Sequence, residues 1–195
     1  MSMFTGIVSA VGSVTETGQH KIGIRHAATA RHLKLGASVA VNGCCLTVAK
    51  KSRTVFFADL VPETLSRTNL GGLRAGSPVN LELSMPADGV LDGHLVQGHV
   101  DAKATVKRVI AVRAGKEVSI DLPAELKHLV AEKGSIAVDG VSLTVARIDD
   151  NAATFMVALI PHTLTATIAS KYTTGTIVNL EADVLARYVA RNLHR

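Results

Sequence analysis

Val41-Asn42-Gly43-Cys44-Cys45-Leu46-Thr47-Val48 is written a second time, as Val138-Asp139-Gly140-Val141-Ser142-Leu143-Thr144-Val145, at a shift of 97 residues. A tandem repeat decides architecture before any single element does, because each copy must be a structural unit. The echo continues downstream. Leu60-Val61-Pro62-Glu63-Thr64-Leu65 returns as Leu159-Ile160-Pro161-His162-Thr163-Leu164, and Val79-Asn80-Leu81-Glu82 as Val178-Asn179-Leu180-Glu181, now at a shift of 99. The second copy has therefore gained two residues, most simply in the turn around Asp149-Asp150-Asn151. Upstream, Gly6-Ile7-Val8 lines up with Gly98-His99-Val100. The chain reads as two units, 1–94 and 95–183, followed by a tail, 184–195.

Within each unit the pattern is β. Short Val-rich runs, Ala37 to Val41, Thr54 to Leu60 and Ser77 to Leu83, are separated by turn residues that include Asn42-Gly43 and Asp139-Gly140. Several short strands at this spacing predict a small closed antiparallel barrel, which also removes exposed sheet edges. Short helices are expected from Pro62 to Asn69 and from Pro161 to Ser170, since proline suits a first helical turn. After Asp183, a candidate cap, Val184, Leu185, Tyr188, Val189 and Leu193 recur at helical spacing. This stripe is left over once both barrels are complete, so it predicts a subunit contact.

Bulk composition narrows the function classes. With 47% hydrophobic and 19% charged residues the chain is globular. No apolar run approaches the ~18 residues of a membrane span, and the start has neither the basic nor the apolar region of a secretory signal, so a cytoplasmic location is expected. The net charge of +5 comes from scattered residues, and no Trp, two Tyr and four Phe leave little for base stacking, so nucleic acid is not an expected partner. Cys44 and Cys45 are neighbours, a poor spacing for a zinc or redox motif or a disulfide, and are expected to be reduced.

The period of two along a strand puts Cys45 and Thr47 on one face and Cys44, Leu46 and Val48 on the other. Ser142 and Thr144 pair in the same way in the second copy. Two matching small polar pairs suggest two related pockets for two related ligands; the plainer alternative is an ordinary strand with a buried cysteine and solvated hydroxyls. The stretch Asp92-Gly93-His94-Leu95-Val96-Gln97-Gly98-His99-Val100-Asp101 holds two histidines five residues apart. That spacing is wrong for two imidazoles sharing a zinc, so no metal is expected. His99 is either an acid/base candidate or a hydrogen-bonded structural residue. Glycine-rich phosphate loops and the Gly-x-Ser-x-Gly elbow are both missing.

Met3-Phe4-Thr5-Gly6-Ile7-Val8, Asn42 to Val48, Gly93 to Asp101 and Asp139 to Val145, in this order, resemble the riboflavin synthase family over essentially the whole chain. Met1-Ser2 precede that family's usual start. The resemblance implies an all-β chain of two tandem six-stranded Greek-key barrels with short helices, assembled as a homotrimer through its C-terminal helices. It implies a dismutation of two molecules of 6,7-dimethyl-8-ribityllumazine to riboflavin and 5-amino-6-(D-ribitylamino)uracil, without a metal or redox cofactor. It also implies one ligand against the first barrel, touching Ser38, Cys45, Leu46, Thr47 and the run Asp59, Leu60, Val61, Pro62, Glu63 and Thr64. The second ligand would touch Gly98, His99, Val100, Ser142, Leu143, Thr144 and the run Ala158, Leu159, Ile160, Pro161, His162 and Thr163, with Gly6, Ile7 and Val8 closing over it. Lys133 resembles a further contact, and Asp183 matches a position tied to activity.

Chemically, the lumazine C7 methyl is acidic because its anion delocalises into the pteridine, so His99 is the expected base. Ser142 and Thr144 would donate hydrogen bonds to developing charge, and Cys45 or a water would add to C7 of the other molecule, or the thiol would act only sterically. The resemblance places the site between the first barrel of one subunit and the second barrel of its neighbour. A non-catalytic lumazine- or flavin-binding protein is the rival reading, although such relatives lack the Cys and His found here at 45 and 99. An oligonucleotide-binding barrel is a third, on fold analogy alone.

Overall fold

The computed structural model describes residues 3–18 and 20–193, so Met1-Ser2 lie outside the described residues. Six strands form the first barrel: β1 (Ala10–Gly18), β2 (Lys21–Arg25), β3 (Ser38–Val41), β4 (Cys44–Lys51), β5 (Val55–Asp59) and β6 (Pro78–Leu83). They close in the order β1-β2-β5-β4-β3-β6. The second barrel repeats that order with β7 (Ala102–Val112), β8 (Gly115–Asp121), β9 (Ser135–Val138), β10 (Val141–Asp149), β11 (Thr154–Leu159) and β12 (Ile177–Ala182). All pairings are antiparallel. Short helices α1 (Ala27–His32), α2 (Pro62–Arg67) and α3 (Pro161–Ala166) sit in the connections, and α4 (Val184–Leu193) ends the chain. The proline-led helices α2 and α3 stand where the two prolines predict them.

Alternation does what the period of two requires. Cys44, Leu46 and Val48 face the first core with Ile22, Ile24 and Phe56, while Val141, Leu143 and Val145 face the second with Ile120 and Phe155. Each such side chain, fully buried, stabilises the barrel by about 1.5–3 kcal/mol. Even the irregularities are duplicated. Bulges interrupt β1 between Val14 and Glu16 and β7 between Val106 and Arg108, and again β4 between Val48 and Lys50 and β10 between Val145 and Arg147. The two residues gained by the second copy do lie in the β10–β11 turn. A second insertion escapes the motif comparison: the offset grows from 92 at Val14 and Val106 to 96 at Ile24 and Ile120, through a longer first hairpin in the second barrel.

The barrels meet at their repeated turns. Asn42 and Gly43 have φ of 45° and 75°, and Asp139 and Gly140 the same pair of values, so both are two-residue hairpins needing positive φ twice. They pack main chain against main chain: a Cβ on Gly43 would lie 2.6 Å from the Gly140 nitrogen. Two equivalent bonds cross between barrels, from Asn80 Nδ2 to the Asp139 carbonyl (2.9 Å) and from Asn179 Nδ2 to the Asn42 carbonyl (2.8 Å). The Tyr172 hydroxyl donates to Asp139 Oδ2 at 2.7 Å. These contacts build a local two-fold axis into one chain.

Along that axis the segments leading into the barrels exchange places. Phe4 and Val96 pair with each other, both buried against Ala40 and Ala137. Beyond them Gly6 accepts a bond from the Ser142 nitrogen of β10 (2.8 Å), and Gly98 accepts one from the Cys45 nitrogen of β4 (2.9 Å). The main chain of each segment rejoins the ladder of its own barrel at Ser9 with Leu81 and at Asp101 with Leu180. Each barrel's outer face is thus completed by the lead-in of the other. Helix α4 is capped by Asp183, whose Oδ1 accepts from the Leu185 nitrogen at 2.9 Å, and leaves Leu185, Tyr188, Val189 and Leu193 exposed.

Candidate functional site

The exchange decides which residues share a pocket. A cavity of about 340 Å³ is lined by Cys44, Cys45, Glu63, Thr64, Arg67, Thr68, Gly98, His99, Val100 and Asp101. Cys45 comes from the outer face of β4, Glu63 and Arg67 from α2, and His99 from the lead-in of the second barrel. Gly98, His99 and Val100 therefore lie against the first barrel, not the second as the resemblance implied. The cause is steric as well as topological, since Gly98 (φ 78°) sits so close to β4 that a Cβ would be 2.5 Å from the Cys45 Cβ. The basic depression lined by Lys107, Arg108 and Arg147 is larger, about 410 Å³, but none of the candidate residues lines it.

The equivalent face of the second barrel carries different chemistry. Ile7 stands where His99 stands, and Ser142 where Cys45 does. Gly6 and Gly93 pack on Ser142, with a Cβ on Gly6 2.6 Å from the Ser142 Cβ, so the N-terminal segment lies against this face. Asp59 and Glu63 are matched by Ala158 and His162. The side chains of Leu46, Leu60, Leu143 and Leu159 are buried in the barrel cores, leaving only their main chains for a ligand. Val61, Pro62, Ile160, Pro161 and His162 are exposed at the helix starts, with Thr64 and Thr163 half-buried behind them. Thr47 and Thr144 are exposed on the outer faces, while Ser38 and Val8 are half-buried. Lys133 is exposed in a left-handed turn (φ 65°), its ammonium donating to the Ala146 carbonyl at 3.1 Å.

His94 was passed over in the sequence, where it reads only as one member of an unsuitable histidine pair. It is 8% exposed, and its Nδ1 lies 2.7 Å from Ser142 Oγ, while Nε2 has no hydrogen-bond partner. Burial pushes its pKa down, with the charge of nearby Asp183 opposing, so the imidazole is neutral at neutral pH. Ser142 and His94 are thus joined on the outer face of the second barrel, with the Asp183 carboxylate close enough for its charge to act on the imidazole. In the first, burial pushes the Cys45 thiol up, a hydrogen bond from Ser38 pulls it down, and the Glu181 carboxylate pushes it up again. Cys45 is therefore a neutral thiol at neutral pH. Among the described residues no group of three or more His, Cys, Asp or Glu side chains can hold a metal ion, and no helix is long and apolar enough to cross a membrane.

Comparison with known proteins places this geometry. The Lumazine binding domain matches the chain twice, at residues 5–84 and 97–183. The chain is 44% identical over 195 residues to the riboflavin synthase of Mycobacterium tuberculosis, covering 97% of each chain. It is 40% identical to that of Actinobacillus pleuropneumoniae, over 98% of this chain and 90% of the other. The chain belongs to the riboflavin synthase family. Membership reaches across kingdoms, with 38% identity to the Schizosaccharomyces pombe enzyme over 97% of this chain. The crystal structure of LumP complexed with riboflavin shares the fold, with a TM-score of 0.84, 26% identity, and coverage of 92% of this chain and 98% of that one. The identity to riboflavin synthases is well above the identity to LumP. It is an enzyme of the riboflavin synthase family.

Proposed function

We propose that the chain dismutates two molecules of 6,7-dimethyl-8-ribityllumazine into riboflavin and 5-amino-6-(D-ribitylamino)uracil, one molecule lying on the outer face of each barrel. The observation that carries the reading is a pair of equivalent outer faces that hold unequal acid–base groups: Cys45 with His99 in the cavity on the first barrel, and Ser142 bonded to His94, with Asp183 nearby, on the second. The atoms of the two substrates equal those of the two products, so no oxidant or reductant enters. A four-carbon unit moves from one lumazine to the other.

In this reading His99 removes the C7-methyl proton of the molecule on the first barrel, and the resulting carbanion attacks its partner. Ser142 faces the molecule on the second barrel, its hydroxyl held by the neutral His94, which can take a proton as the hydroxyl or a water adds at C7. Cys45, a neutral thiol beside His99, positions the first ring and does not serve as the nucleophile toward the second. Orientation of two flat rings can supply about 7 kcal/mol or more of the acceleration. Purified chain given the lumazine alone, with EDTA present, is expected to produce flavin fluorescence; tight lumazine binding without flavin would establish the binding-protein reading instead.

We further propose a homotrimer held by α4, with the first barrel of one subunit facing the second barrel of its neighbour. The exposed Leu185, Tyr188, Val189 and Leu193 support it. Because Cys45 and His99 share a pocket, variants at those two positions damage the same half-site. The informative pair is His99→Asn with Ser142→Ala. Refolded together they are expected to regain part of the activity, since some interfaces then join two intact halves. Mixtures that stay inactive, while each variant mixed with wild type survives, would place both molecules within one chain.

A further inference from the structure

Glu181 lies on β12, in the second barrel, and is 4% exposed. Its Oε1 accepts from the Gln97 nitrogen at 2.7 Å and its Oε2 from the Gly98 nitrogen at 3.0 Å, and the His99 nitrogen also donates to it. All three amides belong to the lead-in of the second barrel, which lies on the first. Glu82 on β6 repeats the arrangement, with Oε1 accepting from the Thr5 nitrogen (2.7 Å) and hydroxyl (2.8 Å) and Oε2 from the Gly6 nitrogen (3.1 Å). A buried carboxylate is costly unless its lone pairs are filled, and here consecutive main-chain donors fill them. Each barrel thus uses a buried acid to aim the segment that completes the other barrel's outer face.

We propose that Glu181 is a positioning residue for His99, holding the imidazole's segment on the first barrel from the second, and that Glu82 is its counterpart for Gly6 and Ile7. The inference rests on the reading of the first pocket as a lumazine site. The two clamps differ in their surroundings. Asp101, itself paired with Arg187 of α4 at 2.8 Å, faces Glu181 together with the thiols of Cys44 and Cys45 and with His99 on the clamped segment. Burial, with Asp101 adding to it, pushes Glu181 up to about 7, while its amide partners pull it down. Burial raises Glu82 too, but the two bonds from Thr5 and one from Gly6 pull it down, and no second carboxylate adds to the burial. Only the ionised form offers both oxygens as acceptors. As pH falls through about 7, Glu181 takes up a proton, one oxygen becomes a donor facing an amide N–H, and the hold on Gly98 and His99 weakens.

The experiment uses the full chain. In wild type the Gly98 amide resonance should titrate near neutral pH, and kcat/KM should fall over the same range. Glu181→Gln should abolish that titration, remove the matching part of the pH profile and lower kcat by roughly 100-fold, as expected for a catalytic group misplaced by about 1 Å. Glu82→Gln should leave the Gly98 titration in place. Wild-type turnover in Glu181→Gln, or a wild-type Gly98 amide that ignores pH, would overturn the proposal even if the variant itself failed to fold. Absence of flavin formation by wild type would instead overturn the functional reading on which it rests.

Discussion

Gly98→Ala is the smallest change that tests the exchanged segments. The new Cβ would meet Cys45 at three points, its Cβ at 2.5 Å, nitrogen at 2.8 Å and Cα at 3.0 Å. All three belong to the body of a barrel strand and cannot swing aside, so the segment must retreat by about 1 Å to reach ordinary van der Waals contact. Alanine at φ 78° adds about 1–2 kcal/mol of backbone strain. Retreat also stretches the 2.9 Å bond from the Cys45 nitrogen to the Gly98 carbonyl, and an unsatisfied buried donor costs about 1–3 kcal/mol. The variant should therefore be less stable by about 2–5 kcal/mol, and the displaced His99 should cost about 100-fold in turnover. Urea unfolding and steady-state kinetics with the lumazine check the two numbers. Gly72→Ala is the control, since its Cβ would meet nothing within 4 Å, and it should stay within about 0.5 kcal/mol of wild type. A Gly98→Ala chain with unchanged kcat would refute the reasoning, because the segment could not then be seated on Cys45 in the active protein.

Asp139 is 1% exposed and burial pushes its pKa up to about 6, against bonds from Asn179, Tyr172 and Asn69. An acid raised on folding binds its proton more tightly in the native state, so its contribution to stability is present at low pH and is lost as pH rises through about 6. Wild type should thus gain on Asp139→Asn by up to about 3 kcal/mol between neutral pH and pH about 4, read from urea midpoints; parallel pH curves would remove Asp139 from the account. His94→Ala should lower kcat by about 100-fold through loss of the partner of Ser142 while riboflavin affinity changes little. Equal losses in both would make the imidazole a packing strut.

The duplication, the barrels and their strand faces were legible because they rest on local periodicity, which survives in a motif such as Asn42-Gly43-Cys44-Cys45 and its copy. The Asp183 cap and the stripe of α4 were legible for the same reason. The owner of the His99 segment was not. Alignment of Gly98 with Gly6 shows that the two are equivalent, but not which barrel either lies on, since that depends on a crossing near Phe4 and Val96. The His94–Ser142 contact spans 48 residues in sequence and joins the lead-in of one unit to a strand. No spacing rule reaches so far. The longer β7–β8 hairpin was missed because neither of its strands carries a repeated motif, so nothing marked where the offset changed.

The back-to-back turns at Gly43 and Gly140 have a consequence for how identical substrates acquire different fates. A two-fold contact between separate copies of a chain forces every substitution to appear on both sides of the axis. Here a single polypeptide supplies both sides, so that obligation is lifted. Thiol can oppose hydroxyl, imidazole can oppose the branched sec-butyl group of Ile7, and a carboxylate at Glu63 can oppose His162, while the Asn80 and Asn179 bonds keep the shared frame symmetrical. Covalent continuity thus lets a symmetric scaffold tell apart two molecules that have no difference of their own.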